Sequence, residues 1–230
     1  MLISKPNLAK YIHLDLKGAP PKPNKFYGSF FNFLKDIQMG VKGVLIEYED
    51  ILPLEGNFVD VIHQAGYKKS DIKLIEKAAK ENEIEIIPLI QTFGHLEWIL
   101  KLDKFKSYRD HPNLPLVISP CLNATYDLLQ DLLQQTLDMH PNSNKIHIGC
   151  DELSQLKGLV EPVSWNYLPT FYDYYKTLSA WKIYPKFFDN IWAASAFKGG
   201  VDRFSMTTNA THHVLNNRQW LHFMQSPTFD

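Results

Sequence analysis

The sequence has few cysteines, almost no net charge and no long apolar run. Its two cysteines, Cys121 and Cys150, are too few for a disulfide framework. Its 24 basic and 25 acidic residues leave a formal charge of −1, so no net field attracts nucleic acid or an anionic membrane. No segment approaches the ~18 apolar residues of a membrane-spanning helix, and the first residues lack the apolar run of a secretory signal. We therefore expect a cytoplasmic protein, with the nucleus as a second location, and neither nucleic acid nor a membrane as partner.

The chain does have the composition of an ordinary soluble domain. It is 45% hydrophobic and 21% charged, which predicts a packed globular core. An α/β barrel commonly occupies about 250 residues as one unit. The length of 230 residues therefore favours a single domain over residues 1–230.

Short apolar or β-branched runs alternate with amphipathic stretches, which is typical of βα units around a parallel sheet. We predict strands over residues 11–16, 43–48, 84–90, 145–149, 159–165 and 187–193. Helices are predicted over residues 26–39, 71–81 after an N-cap at Ser70, 96–102, 125–139, 171–184 and 214–224. This gives about six βα units, whereas a closed (β/α) barrel has eight. The predicted fold is therefore α/β, an incomplete TIM-type barrel.

Polar and aromatic side chains collect at the predicted strand ends. In a parallel α/β barrel these ends and the loops after them share one face, which carries the functional residues. The residues at these ends are His13, Asp15, Lys17, Glu47, Glu49, Gln91, His95, Asp151, Glu152, Trp165, Tyr167, Trp192 and Ser195.

The first of these groups, His13, Asp15 and Lys17, is spaced by two residues, so a strand would place all three side chains on one face. We predict that this face lines the mouth of the barrel. A solvent-facing sheet edge is the alternative, and His13 and Lys17 are as readily explained as buried partners of other residues.

The stretch from His147 to Glu152 places two carboxylates directly after an apolar strand. Adjacent residues of a regular strand point to opposite faces, so the chain must turn if both are to reach one pocket. Two negative charges held so close together raise the pKa of one of the two carboxyls. The protonated carboxyl can then donate to a leaving oxygen, while its ionised neighbour orients a substrate amide. From these residues alone, a solvated acidic loop that caps the next helix is an equally good interpretation.

The pattern His147-x-Gly149-x-Asp151-Glu152 resembles the signature of glycoside hydrolase family 20, the β-N-acetylhexosaminidases. Four further blocks resemble the same family, at residues 13–21, 45–50, 88–95 and 192–199. The resemblance extends over most of the chain. It implies hydrolysis of terminal non-reducing N-acetyl-β-hexosamine residues from glycans or glycoconjugates, and it is compatible with a homodimer.

The resemblance also implies a retaining, substrate-assisted mechanism without cofactor or metal. Glu152 would be the general acid and base, and Asp151 would orient the 2-acetamido group, whose oxygen attacks the anomeric carbon. For His95 and His147 a hydrogen-bonded buried histidine is an equal alternative, and any one aromatic residue is more often part of a core. With the strand-end pattern, the predicted substrate-binding residues are Asp15, Lys17, Glu49, His95, His147, Trp165, Tyr167 and Trp192.

The sequence departs from the family pattern in two places. Between Gly158 and Leu159 it passes almost directly from the catalytic strand to a segment that resembles the sixth strand, and no final strand precedes Asp230. We therefore expect strands five and eight to be missing, which would expose sheet edges. One alternative function is that of an inactive relative that at most binds carbohydrate. Another is a metal-dependent hydrolase with zinc held by His13 and Asp15.

Overall fold

The computed structural model describes residues 8–18, 20–37, 40–150, 161–170, 190–196 and 207–224, with Trp181, Tyr184, Phe188 and Ser205. These residues belong to two compact units, one over residues 8–150 and one in the remainder of the chain. Parallel strands occur in both units, so the α/β class predicted from the sequence is confirmed. The single domain over residues 1–230 stays a prediction.

Three parallel strands form the centre of the unit over residues 8–150. They are β1 (Lys10–Asp15), β2 (Val41–Glu47) and β3 (Glu85–Leu89), in the sheet order β1-β2-β3. The middle of the central strand, residues 43–46, is apolar on both faces, as expected where a parallel sheet is covered on both sides. Asp15 pairs with Glu47, and Glu47 pairs with Leu89, so the three strands end at the same level.

Two helices connect these strands. The helix α1 (Pro23–Asp36) begins with proline, whose fixed φ and missing amide suit the first helical position, and it buries a stripe at Tyr27, Phe31 and Leu34. The second helix, α2 (Lys69–Glu81), begins earlier than predicted. Its N-cap is Lys68 and not Ser70, because the Asp71 carboxylate accepts the backbone amide of Lys68 at 2.8 Å.

A hairpin that the sequence analysis did not predict follows the short helix α3 (Glu97–Leu100). Its strands, β4 (Arg109–His111) and β5 (Leu114–Ile118), are antiparallel. The Arg109 guanidinium anchors the hairpin by donating to the Leu100 carbonyl at 2.6 and 2.8 Å. The helix α4 (Asn123–Met139) comes next and confirms the prediction for residues 125–139 to within two residues.

The prediction of a fourth strand over residues 145–149 is wrong. The segment forms only a single β-bridge, between His147 and Leu89. The His147 amide donates to the Pro88 carbonyl, and the Ile90 amide donates to the His147 carbonyl, both at 2.9 Å. Gly149 then adopts a φ of 62°, which ends the extended backbone before a ladder can form.

The second unit contains two short parallel strands, β6 (Val163–Trp165) and β7 (Trp192–Ala194). The helix α5 (Ala210–Met224) begins four residues before the predicted start, and its Trp220 and Phe223 pack with Trp181 in a small apolar core. Most of the helix predicted over residues 171–184 lies outside the described residues. None of the helices in the described ranges is long and apolar enough to cross a lipid bilayer.

A buried polar cluster joins the end of β2 to the end of α4. The Tyr48 hydroxyl donates to His140 Nε2 at 2.9 Å, and His140 Nδ1 donates to the Thr136 carbonyl at 2.8 Å. All three residues are buried. This pattern requires the neutral imidazole, and burial lowers the pKa of His140 below its usual value of 6.5.

We expect the free energy of unfolding to fall as the pH drops below about 6.5, because the unfolded chain protonates His140 before the folded chain does. One such group contributes a slope of up to about 1.4 kcal/mol per pH unit. Urea unfolding between about pH 7.5 and pH 5 measures this slope. A His140→Gln variant should lose that part of the slope, and a variant of the exposed His111, His111→Gln, should retain it. Equal slopes in both variants would contradict the assignment.

Candidate functional site

Seven polar residues lie near the carboxyl ends of β1, β2 and β3, which are at the same level in the sheet. We call them the strand-end cluster. Four of them end or follow β1 or β2, two follow β3, and one lies within β1. The members are His13, Asp15, Lys17, Glu47, Glu49, Gln91 and Glu97.

Glu47 is held on both carboxylate oxygens. Its Oε2 accepts from His13 Nε2, and its Oε1 accepts from Gln91 Nε2, each at 3.0 Å. Burial on its own would raise the pKa of Glu47, but the hydrogen bonds from His13 and Gln91 outweigh burial and lower it. Glu47 is therefore ionised at neutral pH and fixes the orientation of both neighbours.

Lys17 lies between two carboxylates. Its Nζ is 3.0 Å from Glu49 Oε2 and 2.8 Å from Glu97 Oε1. Partial burial would lower the pKa of Lys17, but the hydrogen bonds to Glu97 and Glu49 outweigh it and raise that pKa, so the ammonium stays charged. The same contact lowers the pKa of Glu97 against the effect of burial, whereas for Glu49 burial prevails and raises the pKa.

Glu97 was absent from the predicted site residues. Its sequence signal is an acidic residue in the first turn of a helix, two positions after the predicted His95.

Of the residues predicted to share one face of β1, His13 and Lys17 do reach the carboxylates that end or follow β2. Asp15 instead turns back to its own chain, where its Oδ1 accepts the Lys17 amide at 3.0 Å.

The two loops after β2 and β3 contain left-handed backbone. Glu49 has a φ of 46° and His95 a φ of 55°, which side chains with a Cβ rarely adopt. The His95 loop is braced by the hairpin, since the Leu96 amide donates to the Leu116 carbonyl and the Ile118 amide to the Phe93 carbonyl, both at 3.1 Å. His95 is exposed, so the buried-histidine alternative is wrong for this residue.

The segment from His147 to Cys150 packs directly against the residues that follow β3. A Cβ on Gly149 would overlap the Gln91 side chain, and residues with a Cβ rarely adopt its φ of 62°, so glycine is favoured at this position. The Thr92 hydroxyl donates to the Ile148 carbonyl at 2.8 Å and lies 2.9 Å from Cys150 Sγ. His147 is half-buried, and its Nδ1 accepts the Gly149 amide at 3.1 Å. Asp151 and Glu152, the predicted catalytic pair, lie outside the described residues.

The second unit presents two exposed aromatic rings. Trp165 and Tyr167 are stacked with centroids 5.4 Å apart, and they remain 59% and 47% exposed. We call them the aromatic pair. Trp192 is half-buried, and its indole donates to Glu161 at 2.6 Å. The Ser195 hydroxyl donates to Asn217 Oδ1 at 2.7 Å.

The zinc alternative finds no ligand set in the described part of the chain. Within those ranges no group of three or more His, Cys, Asp or Glu side chains is arranged to hold a metal ion. His13 faces Glu47, whereas Asp15 closes a turn on its own backbone, so the two side chains predicted to share zinc have separate partners.

The comparison with known families identifies one match. The profile described as "Glycosyl hydrolase family 20, catalytic domain" matches residues 47–195. Human Hexosaminidase D is 31% identical over 279 aligned positions, which cover 95% of this chain and 57% of the relative. Bovine Hexosaminidase D is 30% identical over 273 positions, with 92% and 78% covered. The chain thus spans little more than half the length of the human relative.

Solved structures show the same fold at low identity. A mutant Streptomyces plicatus beta-hexosaminidase in complex with its product GlcNAc is similar with a TM-score of 0.64 and 10% identity, covering 89% of this chain and 52% of that one. The GH20 beta-N-acetylhexosaminidase from Streptomyces coelicolor A3(2) has a TM-score of 0.51 and 14% identity, covering 63% and 33%. The fold is therefore TIM-barrel-like.

Four members of the strand-end cluster lie within the matched region, namely Glu47, Glu49, Gln91 and Glu97, and so does the glycine-containing turn after His147. That region includes more than half of the chain, and the bovine relative reaches 30% identity with most of its length covered. This chain therefore belongs to glycosyl hydrolase family 20.

Proposed function

We propose that this chain is a β-N-acetylhexosaminidase that releases terminal N-acetyl-β-hexosamine from glycans or glycoconjugates. The observation that carries the proposal is the strand-end cluster, in which a charged lysine lies between two carboxylates. Gln91 of the same cluster binds Glu47 and packs against the turn of the family motif. Such groups can bind the hydroxyls of a pyranose, because charged donors and acceptors form its strongest hydrogen bonds.

In the proposed reaction the substrate supplies its own nucleophile. Glu152, as a carboxylic acid, gives its proton to the glycosidic oxygen while the 2-acetamido oxygen attacks the anomeric carbon and the leaving group departs. Asp151 orients the acetamido group and stabilises the positive charge of the bicyclic oxazolinium. Glu152, now ionised, takes a proton from water, which opens the ring with net retention. Gly149 supports this arrangement by allowing the chain to turn against Gln91 just before the two carboxylates.

Lys17, Glu49, His95 and His147 are proposed substrate-binding residues of the unit over residues 8–150. In the second unit, Trp165, Tyr167 and Trp192 are proposed to contact apolar faces of a pyranose, since flat rings give a large contact area in a fixed orientation. Asp15 would act through the turn that it closes at Lys17. The hydrogen bonds of Lys17 to Glu49 and Glu97 favour a sugar-binding role for Lys17, because an ammonium that is already held in place loses little freedom when a ligand binds.

A second function, that of an inactive carbohydrate-binding relative, is favoured by one observation. The alignment with human Hexosaminidase D has 279 positions, yet it covers 95% of a 230-residue chain. The relative therefore has residues at several tens of positions where this chain has none. A missing βα unit after residue 158, as proposed from the sequence, would account for a deficit of this size.

We expect a Glu152→Gln variant to lose hydrolysis of a chromogenic β-N-acetylglucosaminide by a factor of about 10² to 10⁴, because the amide can neither donate nor take up the proton. Glu81→Gln is the control, since Glu81 is an exposed residue of α2. Equal rates in the wild type and Glu152→Gln would refute the catalytic assignment. Sugar binding without hydrolysis in the wild type would instead support the carbohydrate-binding alternative.

We expect a Lys17→Met variant to lower kcat/KM by about 10-fold or more, because one charge-assisted hydrogen bond contributes about 1.5–3 kcal/mol. Without the ammonium, the pKa values of Glu49 and Glu97 should both rise, so the acidic limb of the pH–rate profile should move to higher pH.

Lys35→Met provides the matched control for this prediction. Its side chain is 45% exposed, against 46% for Lys17, and it also pairs with a glutamate, Glu83. A pH–rate profile that shifts equally in both variants would show that the strand-end position of Lys17 has no special role.

A further inference from the structure

Three consecutive backbone carbonyls after β6 are all bound by side chains of α5. Each donor is a side-chain N–H group, and the three donor residues are spaced by four along one face of the helix. We call them the helix clamp. The bonds run from Asn216 Nδ2 to the Asn166 and Leu168 carbonyls at 2.7 Å each, from Trp220 Nε1 to the Asn166 carbonyl at 2.9 Å, and from His212 Nε2 to the Tyr167 carbonyl at 2.8 Å.

Asn216 is the centre of the clamp. It is fully buried, and its remaining polar atom, Oδ1, accepts the Ala196 amide at 3.1 Å. One amide group thus joins the segment after β6 to the segment after β7. A buried amide with all these bonds is costly to replace, because an aspartate of the same size would lose both donors and face two carbonyls with a carboxylate.

The clamped segment carries the aromatic pair. Trp165 is the last residue of β6, and Tyr167 lies within the three residues whose carbonyls are bound. The clamp does not bury the two rings, since both remain about half exposed to water. A helix that served only the core would be expected to bury such rings, whereas a ligand surface requires them to be exposed and fixed.

We propose that Asn216 is a positioning residue that, with His212 and Trp220, holds the aromatic pair in the orientation that contacts the pyranose ring of the ligand. The inference rests on the proposed function for the identity of that ligand. Asn216 acts through the backbone of residues 166–168 and does not touch the sugar itself.

The first test is calorimetric titration of the full chain with a thiazoline mimic of the oxazolinium, together with steady-state kinetics. Asn216→Asp should raise the dissociation constant and KM about tenfold, with a smaller change in kcat, because loss of the clamp weakens ground-state contacts. Arg218→Ala is the control, since Arg218 is exposed on the same helix. Binding by Asn216→Asp that equals the wild type would overturn the proposal.

A double-mutant cycle separates positioning from a general loss of stability. In a background that lacks both rings, Trp165→Ala with Tyr167→Ala, the aromatic contact is already lost, so Asn216→Asp should then change the dissociation constant by less than about twofold. An equal effect of Asn216→Asp in both backgrounds would show that it acts on the fold and not through the aromatic pair.

Hydrogen exchange over residues 163–168 tests the clamp without any ligand. Exchange should be faster in Asn216→Asp than in the wild type and in Arg218→Ala. His212→Ala, which removes one bond of the clamp, the bond to the Tyr167 carbonyl, provides a milder variant if Asn216→Asp does not fold. If the wild type binds no sugar, the proposed function fails, while the exchange result still decides the clamp. Unchanged exchange in both clamp variants would overturn it.

Discussion

The geometry of the strand-end cluster depends on three parallel strands that end at the same level. Asp15, Glu47 and Leu89 lie side by side in the sheet, so the residues before and after them meet along one edge. His13 can then reach Glu47, and Lys17 can reach Glu49. Because side chains alternate along a strand, a slip of β1 by one residue would turn His13 and Lys17 toward the helices and leave Glu47 without one of its partners.

In the strand-end cluster, the hydrogen-bond partners of each carboxyl decide the direction in which its pKa moves. Glu47 and Glu49 are two residues apart and both buried, yet their pKa values move in opposite directions. Glu47 has a donor on each oxygen, which outweighs the cost of burial. Glu49 shares a single ammonium with Glu97, and for Glu49 burial prevails. The cluster thus combines a carboxylate that stays ionised with one that takes up a proton more readily.

Sequence reasoning was most successful where local pattern and fold agree. The strand alternation and the rule that parallel strand ends share a face predicted that polar side chains of β1 and β2 lie together, and His13 does contact Glu47 and Lys17 does contact Glu49. The leucine spacing predicted α4. Sequence reasoning was wrong for the strand over residues 145–149, because only His147 forms a bridge and the left-handed Gly149 ends the extended backbone two residues later. It missed Glu97, because the partner of this residue, Lys17, is 80 positions away along the chain. It missed the hairpin of β4 and β5, because β4 is a polar segment of three residues and β5 contains a proline.

The hairpin shows how an element without reactive side chains can determine the site. His95 follows β3 in a left-handed conformation that costs on the order of 1–3 kcal/mol and that no local signal in the sequence indicates. Such a conformation persists only where its surroundings fix it. Here β5 binds the loop on both sides of His95, through the Phe93 carbonyl and the Leu96 amide, and Arg109 in turn anchors the hairpin to α3. The direction of the His95 side chain is therefore set by main-chain hydrogen bonds to a strand about twenty residues further along the chain.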